Sequence, residues 1–526
     1  MKLFTTLLFC CIQSICIAQV GIGTTTPDAS ARLEVSATTQ GFLPPRMTSI
    51  QRDAIGSPAA GLVIFNTTSK SLEIFDGISW TGLVKSNDAG NGAATRKLYG
   101  GDGTDQLYSV QAATDGGYFF AGIAFPGTAS GTLQGVTPNG NYDIWVLKTD
   151  ASLNIEWQRL LGGTNYDQAY TLTTTADGGC MVAGNTFSPS GGIFTGAPGF
   201  GGQDALLVKL TATGAIQWYK VMGGTASDQF TAAQQTADGG YIVTGSTFSS
   251  NSGTLTGVNT NGSEDGWIAK LDAAGTLLWQ KLMGGSGQEK LACVQQTADG
   301  GYVFAGYSAS SNTGTLIGVT NNGSYDVWVV KTDANGLLQW QKLLGGSAID
   351  AVDAYSNAGI KRTADGGYIV AAYAASTNTG TLLGITNNGS NDAWIIKLDG
   401  FGNLQWQKLL GGTNAEYIHG LAITADGKYV FTGGSTSSGT GTLSGMVNNG
   451  GTDAFLVELD AAGNLLAKKL IGGNLDEYLF AIIATPAGFT AAGYSLASTT
   501  GYFAGFTGNG NADGWLIKLD KFLNTY

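Results

Sequence analysis

The sequence predicts an all-β protein whose main body is a seven-bladed β-propeller of four-stranded antiparallel blades, the ring closed by an N-terminal strand, with a small α+β head module ahead of it. Three observations predict this. A phrase of the form TADGGYIVTG occurs seven times, starting at Thr114, Thr175, Thr236, Thr297, Thr363, Thr424 and, in a worn form, Thr485. Gly-Gly pairs at Gly100, Gly162, Gly223, Gly284, Gly345, Gly411 and Gly472 set a period of 61 residues, stretched to 62 at the first step and 66 at the fifth. A fixed period of that size marks a repeat architecture. The composition, with 82 Gly, 9 Pro and 12% charged residues, suits short strands joined by glycine turns.

The N-terminus, MKLFTTLLFCCIQSICIAQ, has one lysine, an apolar run from Leu3 to about Ile17 and a small residue at Ala18. Residues 1–19 therefore read as a secretory signal peptide cleaved after Ala18 or Gln19. The expected destination is extracellular or the cell surface, with the periplasm as the other address. No later stretch supplies about 18 unbroken apolar residues, so no membrane insertion is expected. Of the five cysteines, Cys180 and Cys293 remain in the mature chain. They fall in different strands of non-adjacent repeats and read as small buried apolar residues.

Residues 20–83 differ in character and form the head module. Thr48 and Gln51 fit a capping box that opens a short helix through Ile55. GLVIFN and SLEIFDG, split by TTSK, read as a hairpin. A module this small buries little core alone, so it is expected to dock on the propeller or to self-associate, for instance as a trimer. Residues 84–92 lie in VKSNDAGNGAAT, a flexible linker. The propeller then occupies residues 93–526.

One unit, Leu282 to Lys342, shows how each blade is built. LACVQQT and YVFAGYS flank ADGG as a hairpin; the polar loop SSNTGTLIGVTNNGS follows; DVWVVKTD and LLQWQKLLGG flank ANG as a second hairpin. The chain ends fit a closed ring. The last repeat stops at DGWLIKLDKFLNTY, where a fourth strand is due, and ATRKLYGG ahead of the first repeat matches the WQKLMGG end of a fourth strand. Closure of this kind removes exposed sheet edges.

Acids recur at four places and account for 26 of the chain's 38. They stand beside turns, where a short carboxylate accepts backbone N–H groups that the ladder leaves unpaired. The net charge of −12 is thus largely a by-product of turn chemistry, and it argues against nucleic acid as a partner. Lys270, Lys331 and Lys397 read as strand-edge or solvated positions.

One acidic set precedes the strand expected to lie innermost: Asp105, Asp167, Asp228, Glu289, Asp350, Glu416 and Glu477. As a ring at one channel mouth it would suit a polar ligand or Ca²⁺, the one cofactor the sequence suggests. As seven identical hydrogen bonds it would be architecture, which the unbroken symmetry favours. The third-strand tryptophans (Trp145, Trp267, Trp328, Trp394, Trp515) and the fourth-strand set (Trp157, Trp218, Trp279, Trp340, Trp406) are expected to fill the space between blades.

The turns ADGG and DAxG share one face of such a ring. The long Ser/Thr/Asn-rich loops and the Gly-Gly loops share the other, which is the candidate binding face. Symmetry breaks there point to ligand contacts: FSPSGGIFTGAPGFGGQD in the second blade, and AIDAVDAYSNAGIKR in the fifth with Asp353 and Tyr355. The single histidine, His419, lies in a first strand and cannot by itself supply a triad or a multi-histidine metal site. No catalytic residue is assigned.

The units TADGGYIVTG and LDAAGTLLWQKLMGG resemble those of secreted bacterial β-propeller-repeat proteins, over about Ala93 to Tyr526. The string Asp272 to Trp279 is similar to the tryptophan motif of quinoprotein dehydrogenase propellers, whose adjacent-cysteine pair has no counterpart in the mature chain. Similar D-x-x-G-N-L strings occur in bulb-type lectins, whose sugar-binding pattern is not evident. Residues 20–83 resemble a short module of bacterial surface proteins and phage tail fibres. The propeller resemblance implies the fold; the signal-like N-terminus, the polar long-loop face and the lack of catalytic motifs lead to the expectation of an exported, non-enzymatic binding or adhesion protein with a glycan or surface-protein ligand. The opposing classes are a secreted carbohydrate-active enzyme with carboxylates at the channel mouth and a structural scaffold subunit.

Overall fold

The computed structural model describes residues 20–526 apart from 23, 25, 27–32, 36–38, 40–41, 69–70, 76–79, 84–95, 126–129, 189–190, 354–358, 497–499, 507 and 526. Residues 1–19, read above as a signal peptide, residues 84–92, read as a linker, and Tyr355 lie outside the described residues. The chain divides into two compact units, Met1–Asn91 and Gly92–Tyr526.

In the first unit, Val20–Ile22 pairs in parallel with Leu33–Val35. A second sheet runs Arg46–Met47, Val63–Asn66, Ser71–Phe75 and Trp80–Leu83. Between its first two strands stands one helical turn, Ser49–Asp53, with both halves of the capping box formed between Thr48 and Gln51. The helix stops at Asp53, short of Ile55, because Ala54 closes it and Gly56 and Ser57 follow; Ser57 takes φ +55°. Arg52 and Asn66 both bond Glu73 Oε2, at 2.9 and 3.1 Å, so this buried acid is paired.

The second unit is nearly all β. Its repeats form four-stranded antiparallel sheets, consistent with a β-propeller. The third sheet is typical: Asp228–Gln235, Tyr241–Thr247, Asp265–Leu271 and Leu277–Met283, paired in that order. Each ADGG turn holds its glycine in the left-handed region, with the turn aspartate accepting the N–H of the next glycine. In the fifth sheet the first strand is split into Asp350–Ala351 and Ile360–Arg362, which both pair with Tyr368–Ala374. The last sheet runs Glu477–Thr485, Gly488–Ser495, Asp513–Asp520, and its outermost strand is Arg96–Tyr99, with Leu98 opposite Trp515. Leu107, Val110 and Trp145 of the first sheet share a core cluster with Ala481, Ala492 and Leu516 of the last.

Tryptophans hold the fold in two ways, one within a sheet and one between neighbouring sheets. Those of the third strands are fully buried, and Trp145, Trp267, Trp328 and Trp394 donate Nε1–H to a fourth-strand glutamine at 3.0–3.2 Å. Each glutamine passes the bond on through Nε2 to a threonine carbonyl in the long loop. The fourth-strand tryptophans lie against the D-x-x-G turn of the next sheet. A Cβ on Gly214, Gly275, Gly336, Gly402 or Gly463 would meet the ring of Trp157, Trp218, Trp279, Trp340 or Trp406 at 2.7–3.1 Å.

The repeated lysines are not solvated. Lys270, Lys331 and Lys397 are buried, and their ammonium groups meet Asp238, Asp299 and Asp365 of the ADGG turns at 2.8–3.0 Å. The aliphatic stem packs inside while the head reaches the turn carboxylate, so a lysine in an apolar strand is here an anchor for the hairpin. Cys180 and Cys293 are free and buried, and desolvation pushes both thiols up to about 12.

Candidate functional site

The seven first-strand acids sit inside the joints between sheets. Asp105, Asp167, Asp228, Glu289, Asp350, Glu416 and Glu477 are at most 1% exposed. Each accepts the N–H of the second glycine of its Gly-Gly pair at 2.6–2.7 Å. Serine and threonine hydroxyls add to the shell at several joints, as Ser249 does for Asp228 at 2.9 Å and Ser308 for Glu289 at 2.8 Å, while Asp105 Oδ1 meets no hydrogen-bond partner among the described residues. Their burial and their bonds to their own loops fit the architectural reading of these seven. Among the described residues no group of three or more His, Cys, Asp or Glu gathers as a metal site would require.

Each clasp contains a second acid. A Cβ on Gly223 would lie 2.4 Å from Asp228 Oδ2 and 3.0 Å from Asp204 Oδ1; on Gly100 it would lie 2.6 Å from both Asp105 and Asp513. Only a residue without a side chain passes between the two carboxylates. Burial, with the neighbouring acid adding to it, pushes Asp204, Asp326 and Asp392 up to about 6 and Asp105 to about 7.

Symmetry fails one step inside this ring. The first strands carry a bulge three residues past the acid, where the register skips. The skipped residues are Tyr108, Tyr170, Thr231, Ala292, His419 and Phe480, and Asp353 has the same spacing from Asp350. They meet from sheet to sheet. Asp353 Oδ2 lies 3.5 Å from His419 Nδ1, the His419 ring is 4.7 Å from Phe480, and Phe480 is 5.1 Å from Tyr108. Burial lowers the His419 pKa, and the Asp353 carboxylate works against that shift. The structure thus brings together His419 and Asp353, two of the candidates named from the sequence.

The long-loop side adds aromatics. Phe125, Tyr142, Tyr166 and Phe187 form a relay with ring centroids 4.9, 5.2 and 6.0 Å apart, crossing from the first sheet to the second. Phe125 and Phe187 are exposed. Asn141, Asn165, Tyr166, Phe187 and Gly202 line an open cleft of about 690 Å³ there. On the opposite side, Tyr373 and Tyr417 pack at 5.4 Å, and Tyr478 stacks on Phe480 at 5.8 Å and on Tyr494 at 5.4 Å. Aromatic faces beside amides offer apolar area together with hydrogen bonds of fixed direction.

Sequence reasoning missed these aromatics, yet a signal for them exists. The residue just before the third-strand Asp reads Tyr142, Gln203, Glu264, Tyr325, Asn391, Thr452 and Ala512, a column that varies beside one that does not. It sits where parallel bridges such as Tyr142 to Tyr166 and Gln203 to Ser227 link neighbouring sheets.

Fold and site together define an all-β repeat protein of propeller type with a separate N-terminal unit. A family model described as "Phage tail like trimerisation region" matches residues 21–95. Regulatory protein FlaEY of Caulobacter vibrioides is 22% identical over 494 residues, covering 89% of this chain and 45% of that protein. The chain therefore spans about half the length of this curated relative. Among solved structures, Sqt1 from Chaetomium thermophilum has 11% identity and a TM-score of 0.39, covering 81% of this chain and 98% of that one. Puromycin hydrolase has 12% identity and a TM-score of 0.41, covering 75% and 51%. The case for a propeller stays with the sheets and their repeat.

Proposed function

We propose that this chain is an exported, non-enzymatic binding protein. A closed seven-bladed propeller presents its long-loop face to a glycan or a surface protein, and the N-terminal module self-associates to display several such faces. Seven repeats support the blade count, and the pairing of Arg96–Tyr99 with Asp513–Asp520 supports closure. The signal-like first 19 residues support export.

The observation that carries the reading is where the repeats stop repeating. The joint acids, turn aspartates and tryptophans recur from sheet to sheet, whereas the long-loop side varies, as in the column from Tyr142 and Gln203 to Thr452 and Ala512. That is how a rigid scaffold acquires a specific surface. Self-association is supported by the match to a trimerisation region and by exposed Val20, Ile22, Leu33, Phe42, Leu43 and Ile50 in the first unit. Linked copies bind a dense surface by avidity without tighter single contacts.

The test is a glycan and surface-protein array probed with the full chain, with hydrolysis assayed on the same panel. Tyr166→Ala with Phe187→Ala is expected to abolish capture at an unchanged melting temperature. Capture that survives the double variant, or turnover of any arrayed glycan, would sink the reading.

A further inference from the structure

A second site lies on the other side of the bulge, toward the short turns. There the first strands line a cavity of about 160 Å³, bordered by Gln111, Thr173, Gln234, Gln295, Lys361 and Ile483 at one level. These six hold the same register position: Gln111 pairs with Phe119, Gln234 with Ile242, Gln295 with Val303 and Lys361 with Ile369. Lys361 is the only charged residue among the described lining.

Its surroundings give that charge no counterpart. Among the described residues Lys361 makes no ion pair and no side-chain hydrogen bond, in contrast to Lys270, Lys331 and Lys397. Burial alone moves its ammonium below the usual lysine range, with no carboxylate acting against it. A half-buried ammonium facing a cavity without an anion is costly, and a bound anion removes the cost.

The amides around it are turned to donate. Gln234 Oε1 accepts the N–H of Gln296 at 2.6 Å, and Gln295 Oε1 accepts the N–H of Arg362 at 3.0 Å. With each carbonyl oxygen held by a backbone donor, the free end of either side chain is its NH₂ group. The cavity thus offers one ammonium and the amide N–H donors of Gln234 and Gln295 at one level. From this geometry we propose that the cavity binds a small organic carboxylate, its oxygens on Lys361 and the glutamine amides. One ammonium balances one negative charge, which favours a carboxylate over a doubly charged tetrahedral anion. The net charge of −12 repels anions at long range, so the attraction is local to the cavity.

Isothermal titration calorimetry of the full chain with sodium acetate and sodium butyrate, with sulfate and chloride at matched ionic strength, tests this. Saturable binding of one carboxylate per chain is expected. Lys361→Gln places in the fifth sheet the residue already present at Gln111, Gln234 and Gln295, so it should fold with an unchanged melting temperature. It should bind acetate at least tenfold more weakly. Absence of saturable carboxylate binding, equal binding by Lys361→Gln, or equal heats from sulfate or chloride would each overturn the proposal. The site is separate from the long-loop face, so Tyr166→Ala with Phe187→Ala should leave acetate binding intact.

Discussion

Two glycines of the second sheet allow the packing between sheets to be weighed in isolation. Gly214 and Gly196 both adopt left-handed backbone, at φ +77° and +88°. Alanine at either position carries the same left-handed penalty of about 1–2 kcal/mol, reduced in both by about 0.4–1 kcal/mol through the stiffer unfolded chain. Their surroundings differ. A Cβ at Gly196 meets nothing within 4 Å, whereas at Gly214 it would lie 2.8 Å from Trp157 Cε3 of the first sheet. The indole cannot swing freely, because its Nε1 donates to Ala212 O at 2.9 Å and its ring packs 5.9 Å from Phe119. Forcing a methyl into that contact adds about 1–3 kcal/mol of overpacking. Gly196→Ala should therefore cost about 1 kcal/mol and Gly214→Ala about 2–4 kcal/mol. Parallel urea and thermal unfolding measures both, with Trp157→Ala completing a double-mutant cycle. Losses equal within about 0.5 kcal/mol, or no coupling to Trp157, would refute the claim that tryptophan-on-glycine contacts hold neighbouring sheets together.

Acid stability should follow the two classes of buried carboxylate. The joint acids Asp105, Asp167, Asp204, Asp326 and Asp392 sit at about 6–7, above their unfolded value of 3.8, so their contribution is complete below that value and is lost as pH rises through 6 to 7. For the turn acids Asp177, Asp238, Asp299 and Asp365, burial raises the pKa but hydrogen bonds from threonine and lysine outweigh it, holding them at about 2. Their contribution is present above 3.8 and fades as pH falls toward 2. Melting temperature should thus peak near pH 4 and fall on both sides, and a peak above pH 7 in a calorimetric series would contradict the joint assignment. Removing the partner of a buried lysine should cost more than removing the lysine. Asp238→Ala is expected to lose about 1–3 kcal/mol by orphaning the Lys270 ammonium, whereas Lys270→Met should be near neutral, compared by urea midpoints.

Much of the fold was legible because turn chemistry is local. A glycine beside an aspartate, returning every 61 residues, fixes where strands end, and ATRKLYGG carried the mark of a fourth strand where Arg96–Tyr99 pairs. The joint acids were legible as turn acceptors for the same reason. Side-chain direction was less so. Lys270 reads as polar in a string, but its long stem lets the residue be buried while its charge reaches Asp238. The bulge was hidden too, since one skipped residue shifts facing without changing composition. Lys361 was hidden by the stretch of chain between Ala351 and Ile360, which displaces it from the column shared by Gln234 and Gln295 until the pairing with Ile369 is seen.

The skipped residue in the first strands has a consequence for how such a protein changes over time. Because it stands outside the ladder, exchanging it breaks no backbone pairing, and Tyr, Thr, Ala, His and Phe are all found there. The first strands thereby hold positions whose side chains can change from repeat to repeat while the backbone ladder is left alone.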